Sequence, residues 1–340
     1  SELWKYDGNT GIAFMVQDIK PGYIGSFPSN LTVLGNDLFF SASDGTNGEE
    51  LWKYDGNTGT VSMVQDINPG SGWSNPRAFF VFGDDLFFVA NDGTNGYELW
   101  KYDGITGTAS MIHDINPGSG DSDPGGFKAF GNDFFFVADD GTNGYELWKY
   151  DGNTGTVSMV QDIYSGSGSS APAGFTVLGN SLFFVATELT YGQELWKYDG
   201  NTGSVSLVQD IYSGAWSSSP SNLTVLGNNL FFSADYGPYG RELWKYSDGS
   251  ATSVENATPN NELNTTVYPN PVSNQLTIEF ANPGEMQTVT ILSIDGKVVF
   301  KENFKDKSVI NIDTDKWSKG IYTLTYKNNH TSRSVKLIKQ

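Results

Sequence analysis

The chain has 340 residues with 40 glycines, two histidines and no cysteine, and its formal net charge is −19. The lack of cysteine excludes disulfide frameworks and thiol catalysis, and two histidines speak against a multi-histidine zinc site or a Ser-His-Asp triad. Residues 1–266 carry a net charge of −22, whereas residues 267–340 carry a net charge of +3. Because residues 1–266 are so acidic, they repel nucleic acid, and we expect no nucleic-acid partner. The change in the sign of the net charge indicates a domain boundary near residue 266.

A Glu-Leu-Trp-Lys-Tyr segment recurs at a constant spacing of 48 residues, beginning at Glu2, Glu50, Glu98, Glu146, Glu194 and Glu242. A fixed period of about 20–50 residues is typical of a repeat architecture. In the unit that starts at Gly59, alternating or apolar segments predict four short strands, near residues 60–67, 78–82, 85–90 and 97–102. The third strand is almost continuously apolar, which predicts burial on both faces. No segment has a helical period, so helix should be almost absent.

Four strands in one repeat of this size are typical of one β-propeller blade. The sequence therefore predicts an all-β protein, with a propeller of about five four-stranded blades over residues 1–246 and a linker at residues 247–266. Counting each unit from its Met-Val-Gln strand gives five complete sets and one additional fourth strand at residues 2–6. The ring could close by exchanging a strand between its ends. The alternative is a larger or open array that continues upstream.

Residues 267–340 have a different alternating pattern and predict a small antiparallel β-sandwich. The candidate strands are residues 276–280, 287–293, 297–303, 308–312, 320–327 and 330–338.

This last segment contains four short motifs in a fixed order, which are Pro269-Asn270-Pro271, Asp295-Gly296-Lys297, Gly320-Ile321-Tyr322 and Lys336-Leu337-Ile338-Lys339. Together they resemble the type A C-terminal sorting domain of the type IX secretion system of Bacteroidota. The resemblance implies a secreted or cell-surface cargo that passes through the periplasm. It also implies that residues 267–340 are recognised by the outer-membrane translocon and its shuttle barrel, and that the linker is the cleavage site. The alternative is an appended β-sandwich without a targeting role.

The repeat in residues 2–11 reads Glu-Leu-Trp-Lys-Tyr-Asp-Gly-Asn-Thr-Gly. It resembles the Glu-Leu-Trp-x-x-Asp-Gly-Thr repeat family of bacterial extracellular proteins, with Asn where Thr is usual. The resemblance implies an extracellular, propeller-like array and supplies no catalytic residues.

Residues that recur in every unit suit structural roles. We expect the six repeat tryptophans to pack between blades, and Asp66 and its counterparts to accept backbone hydrogen bonds at the turn that follows them. His113, which replaces Gln in one copy, is read as incidental. The Asp-Gly-Thr-Asn-Gly turns at Asp44, Asp92 and Asp140 are explained by turn chemistry, with Ca²⁺ binding as the weaker alternative. We expect no other cofactor.

The loop between the first and second strands of each unit diverges while the strands hardly change. The candidate ligand-binding residues in these loops are Tyr23, Phe27, Trp73, Asp121, Asp123 and Trp216. Aromatic side chains in a Gly/Ser-rich loop favour recognition of a glycan or another surface ligand, although relaxed constraint on a loop is the alternative. No catalytic constellation stands out, so the sequence predicts a non-enzymatic binding or adhesion module. The alternative is a secreted glycan-active enzyme that uses carboxylates of the variable face as acid and base.

Overall fold

The computed structural model describes residues 1–247, 250–253, 266–280, 287–294, 296–327 and 332–340. In these ranges the protein is all-β, with 29 strands and one short 3-10 helix at Gly237–Tyr239. No helix in the described ranges is long and apolar enough to cross a membrane. The chain divides into two compact units, Ser1–Val254 and Glu255–Gln340.

The first unit begins with a two-stranded N-terminal sheet, made of β1 (Leu3–Asp7) and β2 (Ile12–Gln17). Five four-stranded antiparallel sheets follow, which we number sheet 1 to sheet 5 in chain order. Sheet 1 contains β3 (Ser29–Leu34), β4 (Asp37–Ser43), β5 (Glu49–Tyr54) and β6 (Val61–Gln65). Sheet 2 contains β7 (Arg77–Phe82), β8 (Asp85–Asn91), β9 (Tyr97–Asp103) and β10 (Thr108–His113). Sheet 3 contains β11 (Gly125–Phe130), β12 (Asp133–Asp139), β13 (Tyr145–Asp151) and β14 (Val157–Gln161). Sheet 4 contains β15 (Ala173–Leu178), β16 (Ser181–Glu188), β17 (Gly192–Asp199) and β18 (Ser204–Gln209). Sheet 5 contains β19 (Ser221–Leu226), β20 (Asn229–Asp235), β21 (Arg241–Ser247) and β22 (Ser250–Ser253).

The predicted number of four-stranded sets is correct, but the predicted starting strand of each set is wrong. The Met-Val-Gln strand β6 is the last strand of sheet 1, where it pairs with β5, and not the first strand of sheet 2. The reason is the length of the connections. A tight turn after Asp55 returns the chain to the same sheet, whereas the longer loop from Ile67 to Pro76 carries it to the next sheet. The corresponding strand of sheet 5 is β22, which lies in the segment predicted as a linker.

Consecutive sheets pack face to face through residues that recur in each repeat. Phe39 and Leu51 of sheet 1 share one core cluster with Phe88 and Trp100 of sheet 2, and equivalent clusters join the later sheets. The repeat tryptophans are therefore core residues as predicted, and those buried in this way are Trp52, Trp100, Trp148, Trp196 and Trp244. Trp4 is the exception, with 61% of its surface exposed. None of the described sheets closes on itself, and the five-bladed propeller stays a prediction.

The second unit contains two antiparallel sheets whose buried side chains form one core cluster. The first sheet is made of β23 (Thr266–Tyr268), β24 (Gln275–Glu279) and β27 (Val309–Asp313). The second sheet has the order β26-β25-β28-β29, with β25 (Gln287–Ser293), β26 (Val298–Phe304), β28 (Gly320–Lys327) and β29 (Ser332–Lys339). Alternation of apolar residues therefore predicted six of these strands to within two residues, and β23 was missed.

Candidate functional site

The Pro-Asn-Pro motif of the second unit lies against the last strand of the chain. The Asn270 Nδ2 donates to the Lys336 carbonyl at 2.8 Å, and the Asn270 Oδ1 accepts from the Ile338 N–H at 2.9 Å. The next residues continue this contact, since the Val272 N–H donates to the Ile338 carbonyl at 2.7 Å. A side-chain amide offers one acceptor and donors, as a peptide group does. Asn270 therefore takes the place of a backbone partner along the edge of β29.

The Gly-Ile-Tyr motif lies on the other side of the same strand. Gly320 is paired with Lys339 and Tyr322 with Leu337 in the ladder of β28 and β29. The Tyr322 ring is buried, and its hydroxyl donates to the Ser318 carbonyl at 2.8 Å. Two predicted motifs are thus cross-strand neighbours.

The Asp-Gly-Lys motif lies in the turn between β25 and β26. The Gly296 N–H donates to the Ser293 carbonyl at 2.9 Å, and Gly296 has a φ of +81°, which glycine adopts without a steric penalty. Ser293 is paired with Tyr322, so this turn lies at the same end of the sheet as the other motifs. Asp295 lies outside the described residues, and Lys297 is exposed. The described residues of all four motifs therefore lie at one end of one sheet, which we name the signal end.

In the first unit, a buried glutamate holds both ends of each loop that joins consecutive sheets. Glu50 is fully buried, and its Oε2 accepts the Ile67 N–H at 2.9 Å and the Ser74 hydroxyl at 2.6 Å. Its Oε1 accepts the Ser74 N–H at 3.2 Å. The same contacts recur between Glu98 and Ser122, Glu146 and Ser170, and Glu194 and Ser218. Residues 68–73 project between two fixed points.

The environment of these glutamates favours the protonated form. Burial raises the pKa of Glu50 to about 7, although the hydrogen bonds from Ser74 and Ile67 act in the opposite direction. Burial likewise raises the pKa of Glu98 to about 7. These carboxyl groups are enclosed by their own loop, so they serve the scaffold.

The sequence interpretation gave the repeated glutamate no role. The available signal was a serine that follows it by 24 residues in loops that otherwise diverge, at Ser26, Ser74, Ser122, Ser170 and Ser218.

The predicted loop aromatics are exposed. Tyr23 is fully exposed, and Trp73 and Trp216 expose 56% and 66% of their surfaces. The Trp216 ring stacks on the Tyr212 ring with a centroid distance of 5.8 Å, so Tyr212 holds the exposed Trp216 ring in one orientation. Phe27 is 58% exposed and has a φ of +52°, a left-handed conformation that is uncommon for a bulky residue.

The two predicted aspartates make structural contacts. The Asp121 Oδ1 accepts the Tyr97 N–H at 2.8 Å, and Asp123 forms an ion pair with Arg77. Both side chains therefore connect the loop to neighbouring elements.

The three aspartates considered for Ca²⁺ are occupied by their own turns. The Asp44 Oδ1 accepts the N–H groups of Thr46 and Asn47 at 2.7 and 2.8 Å, and its Oδ2 accepts the Asn47 side-chain amide at 2.7 Å. Asp92 and Asp140 make the same contacts. Across the described residues, no group of three or more acidic or histidine side chains is arranged to hold a metal ion. Asp66 behaves as predicted, because its Oδ2 accepts the Gly70 N–H at 3.0 Å.

Among protein families, residues 266–340 match the secretion system C-terminal sorting domain. Comparison with curated protein sequences gave no match. A solved DUF3244 family protein with an immunoglobulin-like β-sandwich fold, from Bacteroides vulgatus, is 20% identical over 22% of this chain and 83% of its own, with a TM-score of 0.21.

Two solved peptidases are similar over a larger part of the chain. A prolyl endopeptidase is 11% identical over 92% of this chain and 50% of its own, with a TM-score of 0.43. A puromycin-hydrolyzing peptidase from Mycobacterium tuberculosis is 10% identical over 82% of this chain and 46% of its own, with a TM-score of 0.41. The chain spans about half the length of these peptidases, and likenesses this distant do not bear on its activity.

The family match begins one residue before the predicted boundary and includes all four motifs that meet at the signal end. It supports the sequence-based expectation of export across the outer membrane. Residues 266–340 are the C-terminal sorting domain of a type IX secretion cargo, which is directed to the cell surface or the extracellular space.

Proposed function

We propose that the first unit of this cargo is a non-enzymatic binding or adhesion module, with the inter-sheet loops as its ligand-binding surface. The stacked sheets would act as a propeller-like scaffold of the Glu-Leu-Trp-x-x-Asp-Gly-Thr repeat type. The sorting domain would present its signal end to the outer-membrane translocon and the shuttle barrel.

The observation that carries the binding proposal is the contrast between the ends and the tips of the loops. A repeated glutamate fixes the ends of each of these loops through its serine, whereas the tips carry Tyr23, Trp73 and Trp216 in exposed positions. The apolar surface of an exposed aromatic ring is removed from water when a ligand covers it, which favours binding. A rigid base with variable aromatic tips is the usual construction of a recognition surface.

A glycan array probed with the full chain tests this proposal, with Ca²⁺ present in one arm and a chelator in the other. We expect binding to at least one class of glycan, and a loss of about tenfold or more in affinity when Trp73→Ser or Trp216→Ser removes a stacking ring. An effect of the chelator would support the Ca²⁺ alternative at Asp44, Asp92 and Asp140.

The matched control is Ile105→Ser. Ile105 is 88% exposed, but it lies in the hairpin after β9, at the opposite end of that strand from the inter-sheet loops. The control variant should bind as the unchanged protein does. If Trp73→Ser and Trp216→Ser bind the glycan as tightly as Ile105→Ser does, the proposed surface is wrong. Turnover of a bound glycan would support the glycan-active enzyme instead.

A further inference from the structure

In sheets 1 to 4, two hairpin tips lie together at the opposite end of the sheet from the inter-sheet loops. In sheet 1 these tips are the turn between β3 and β4 and the turn between β5 and β6. The Asn36 Nδ2 in the first turn donates to the Asn57 Oδ1 in the second turn at 2.8 Å. The same contact closes sheets 3 and 4, where the pairs are Asn132 with Asn153 at 3.4 Å and Asn180 with Asn201 at 3.0 Å. A bridge between two side-chain amides is therefore the rule at this end of the repeat.

Sheet 2 departs from this rule at both positions. Asp84 and Ile105 stand where the 48-residue spacing places the two asparagines of the other sheets. An isoleucine side chain can neither donate nor accept a hydrogen bond, so the bridge is absent. The Asp84 carboxylate is exposed and forms no hydrogen bond or ion pair with the residues that the structure describes. Sheet 2 therefore presents a free carboxylate and an exposed apolar side chain where its neighbours present a closed polar bridge.

A cavity of about 330 Å³ lies beside these two residues, between sheets 1 and 2. Leu34 and Asn57 line it from the side of sheet 1, and Asp84, Tyr102 and Ile105 line it from the side of sheet 2. This volume is at the lower end of the range of about 300–1,000 Å³ that is usual for small-molecule sites. The cavity is therefore large enough for a small molecule that contacts both sheets.

The size of the residue at position 34 accounts for this space. Phe82 and Phe130 hold the same position of the repeat at the next two junctions. The Phe82 ring packs against the Phe134 ring with a centroid distance of 5.3 Å, and the Phe130 ring packs against the Tyr198 ring at 6.0 Å. Leu34 has no ring to place between the sheets, so the space that a phenylalanine fills at those junctions stays open here.

The free charge of the lining is negative. Asp37 is the other carboxylate in the cavity wall, and it is occupied, because it accepts from the Lys53 Nζ at 3.0 Å and from the Gly56 N–H at 3.1 Å. Asp84 is therefore the carboxylate that remains for a positively charged ligand. An anionic ligand is disfavoured by this carboxylate and by the net charge of −22 on residues 1–266.

The apolar part of the lining narrows the class of ligand further. A bare metal ion needs several oxygen ligands, and no group of three or more acidic or histidine side chains in the described ranges is arranged to hold one. A sugar ring stacks on an exposed aromatic face, but Tyr102 is only 5% exposed. A short hydrocarbon chain suits this wall, because it removes the Ile105 and Leu34 side chains from water.

We propose that this cavity binds a small amphipathic ammonium compound, in which a primary ammonium group is joined to a short apolar chain. The ammonium group donates to the Asp84 carboxylate, and the chain covers Ile105 and Leu34. The cavity and the inter-sheet loops are at opposite ends of the sheets, so this site does not depend on the proposed ligand-binding surface of the loops.

The test follows the heteronuclear NMR spectrum of the full chain as hexylammonium is added. We expect saturable shifts of the Gly104 and Ile105 amide resonances, since both residues line the cavity. Hexanoate, which has the same chain length and the opposite charge, should leave these resonances unchanged. Asp84→Asn should weaken the binding of hexylammonium about three- to fivefold, because it removes the charge and keeps the shape of the side chain. Ile105→Ser should weaken it as well, because the apolar contact is lost.

A variant that fills the cavity gives the sharpest check. Leu34→Phe introduces the side chain that Phe82 and Phe130 already place at the next two junctions. The variant should therefore keep its melting temperature and lose the binding of hexylammonium.

Two substitutions at the other end of the sheets are the controls. Glu49→Gln removes a negative charge at the first residue of β5, and Trp73→Ser changes an inter-sheet loop. Both variants should bind hexylammonium as the unchanged protein does. The proposal is wrong if hexylammonium causes no saturable shifts, if hexanoate causes the same shifts, or if Asp84→Asn or Leu34→Phe binds hexylammonium with unchanged affinity.

Discussion

The hydroxyl of Ser74 donates to the Glu50 carboxylate at 2.6 Å, although the two residues are 24 positions apart and belong to the junction of two sheets. Both side chains are fully buried. A polar group buried away from water is costly unless hydrogen bonds satisfy it, and here three donors of one loop satisfy the Glu50 carboxyl oxygens. The contact converts a Gly/Ser-rich segment into a loop with fixed ends.

The first prediction concerns this carboxylate. Glu50→Ala leaves the Ile67 N–H without the acceptor it has in the structure, and it leaves Ser74 with the Glu49 carbonyl alone. An unsatisfied buried group costs about 1–3 kcal/mol. We expect a lower melting temperature and faster hydrogen exchange in residues 67–76. Glu49→Ala is the control, because the neighbouring Glu49 uses its carbonyl rather than its side chain to hold Ser74. A variant of Glu50 that melts with the control would show that the carboxylate does not hold the loop.

The second prediction is the pH dependence of stability. The pKa values of Glu50 and Glu98 are about 7 in the folded state, above their ordinary value of 4.5. Their protonated form is favoured by folding, so the free energy of unfolding should decrease as the pH rises from about 4.5 through about 7. We expect a higher melting temperature at about pH 5 than at about pH 8. Glu50→Gln should reduce that difference, whereas Glu49→Gln should leave it unchanged.

Other carboxyl groups set the acidic limit of this dependence. Burial raises the pKa of Asp92, but backbone hydrogen bonds from Asn95 and Thr94 outweigh it and leave the pKa below 3.8. The stability that such aspartates contribute is present above their ordinary pKa and is lost as the pH falls through the folded value. The free energy of unfolding should therefore have a maximum at a pH above the range in which the aspartates are protonated and below the range in which Glu50 and Glu98 ionise. A melting temperature that increases steadily from about pH 5 to about pH 8 would be inconsistent with buried, protonated glutamates.

The third prediction compares two tryptophans at the same position of the repeat. Trp100 is 6% exposed in the interface with sheet 1, whereas Trp4 is 61% exposed. Trp100→Ala should cost about 3–5 kcal/mol in the free energy of unfolding, because it leaves a cavity in a packed interface. Trp4→Ala should cost well under half as much. Urea unfolding followed by circular dichroism measures both. Equal losses would mean that another surface covers Trp4 in solution.

The fourth prediction concerns secretion. Deleting residues 267–340 should leave the cargo in the periplasm of a host with a type IX system, as immunoblots of cell fractions and medium would show. Asn270→Ala removes two hydrogen bonds to β29, each worth about 1 kcal/mol, and should reduce export by loosening the signal end. The control is Asn274→Ala, a substitution of an exposed asparagine in the same segment. Unchanged export of the Asn270→Ala variant would show that the secretion system does not need the contact between Asn270 and β29 to recognise the sorting domain.

The sequence predicted strands well because alternation and apolar runs are local properties, as in β8 and β25. It predicted less well which strands belong to one sheet, because that depends on which connection returns the chain to the same sheet and which one leads to the next. Burial could not be predicted from the motif alone, because Trp4 and Trp100 have the same local sequence and differ only in the neighbouring sheet. The role of Glu50 was missed for a related reason, since its partners lie in the next junction.

The placement of Asn270 makes the sorting domain sensitive to the completeness of the polypeptide. Its two hydrogen-bond partners, Lys336 and Ile338, are 66 and 68 residues later in the chain. A chain that ends before Lys336 lacks both the acceptor and the donor that hold the Asn270 side chain, although the Pro-Asn-Pro segment has been synthesised. We therefore expect a chain that lacks β29 to be retained in the periplasm, although it still contains the Pro-Asn-Pro motif.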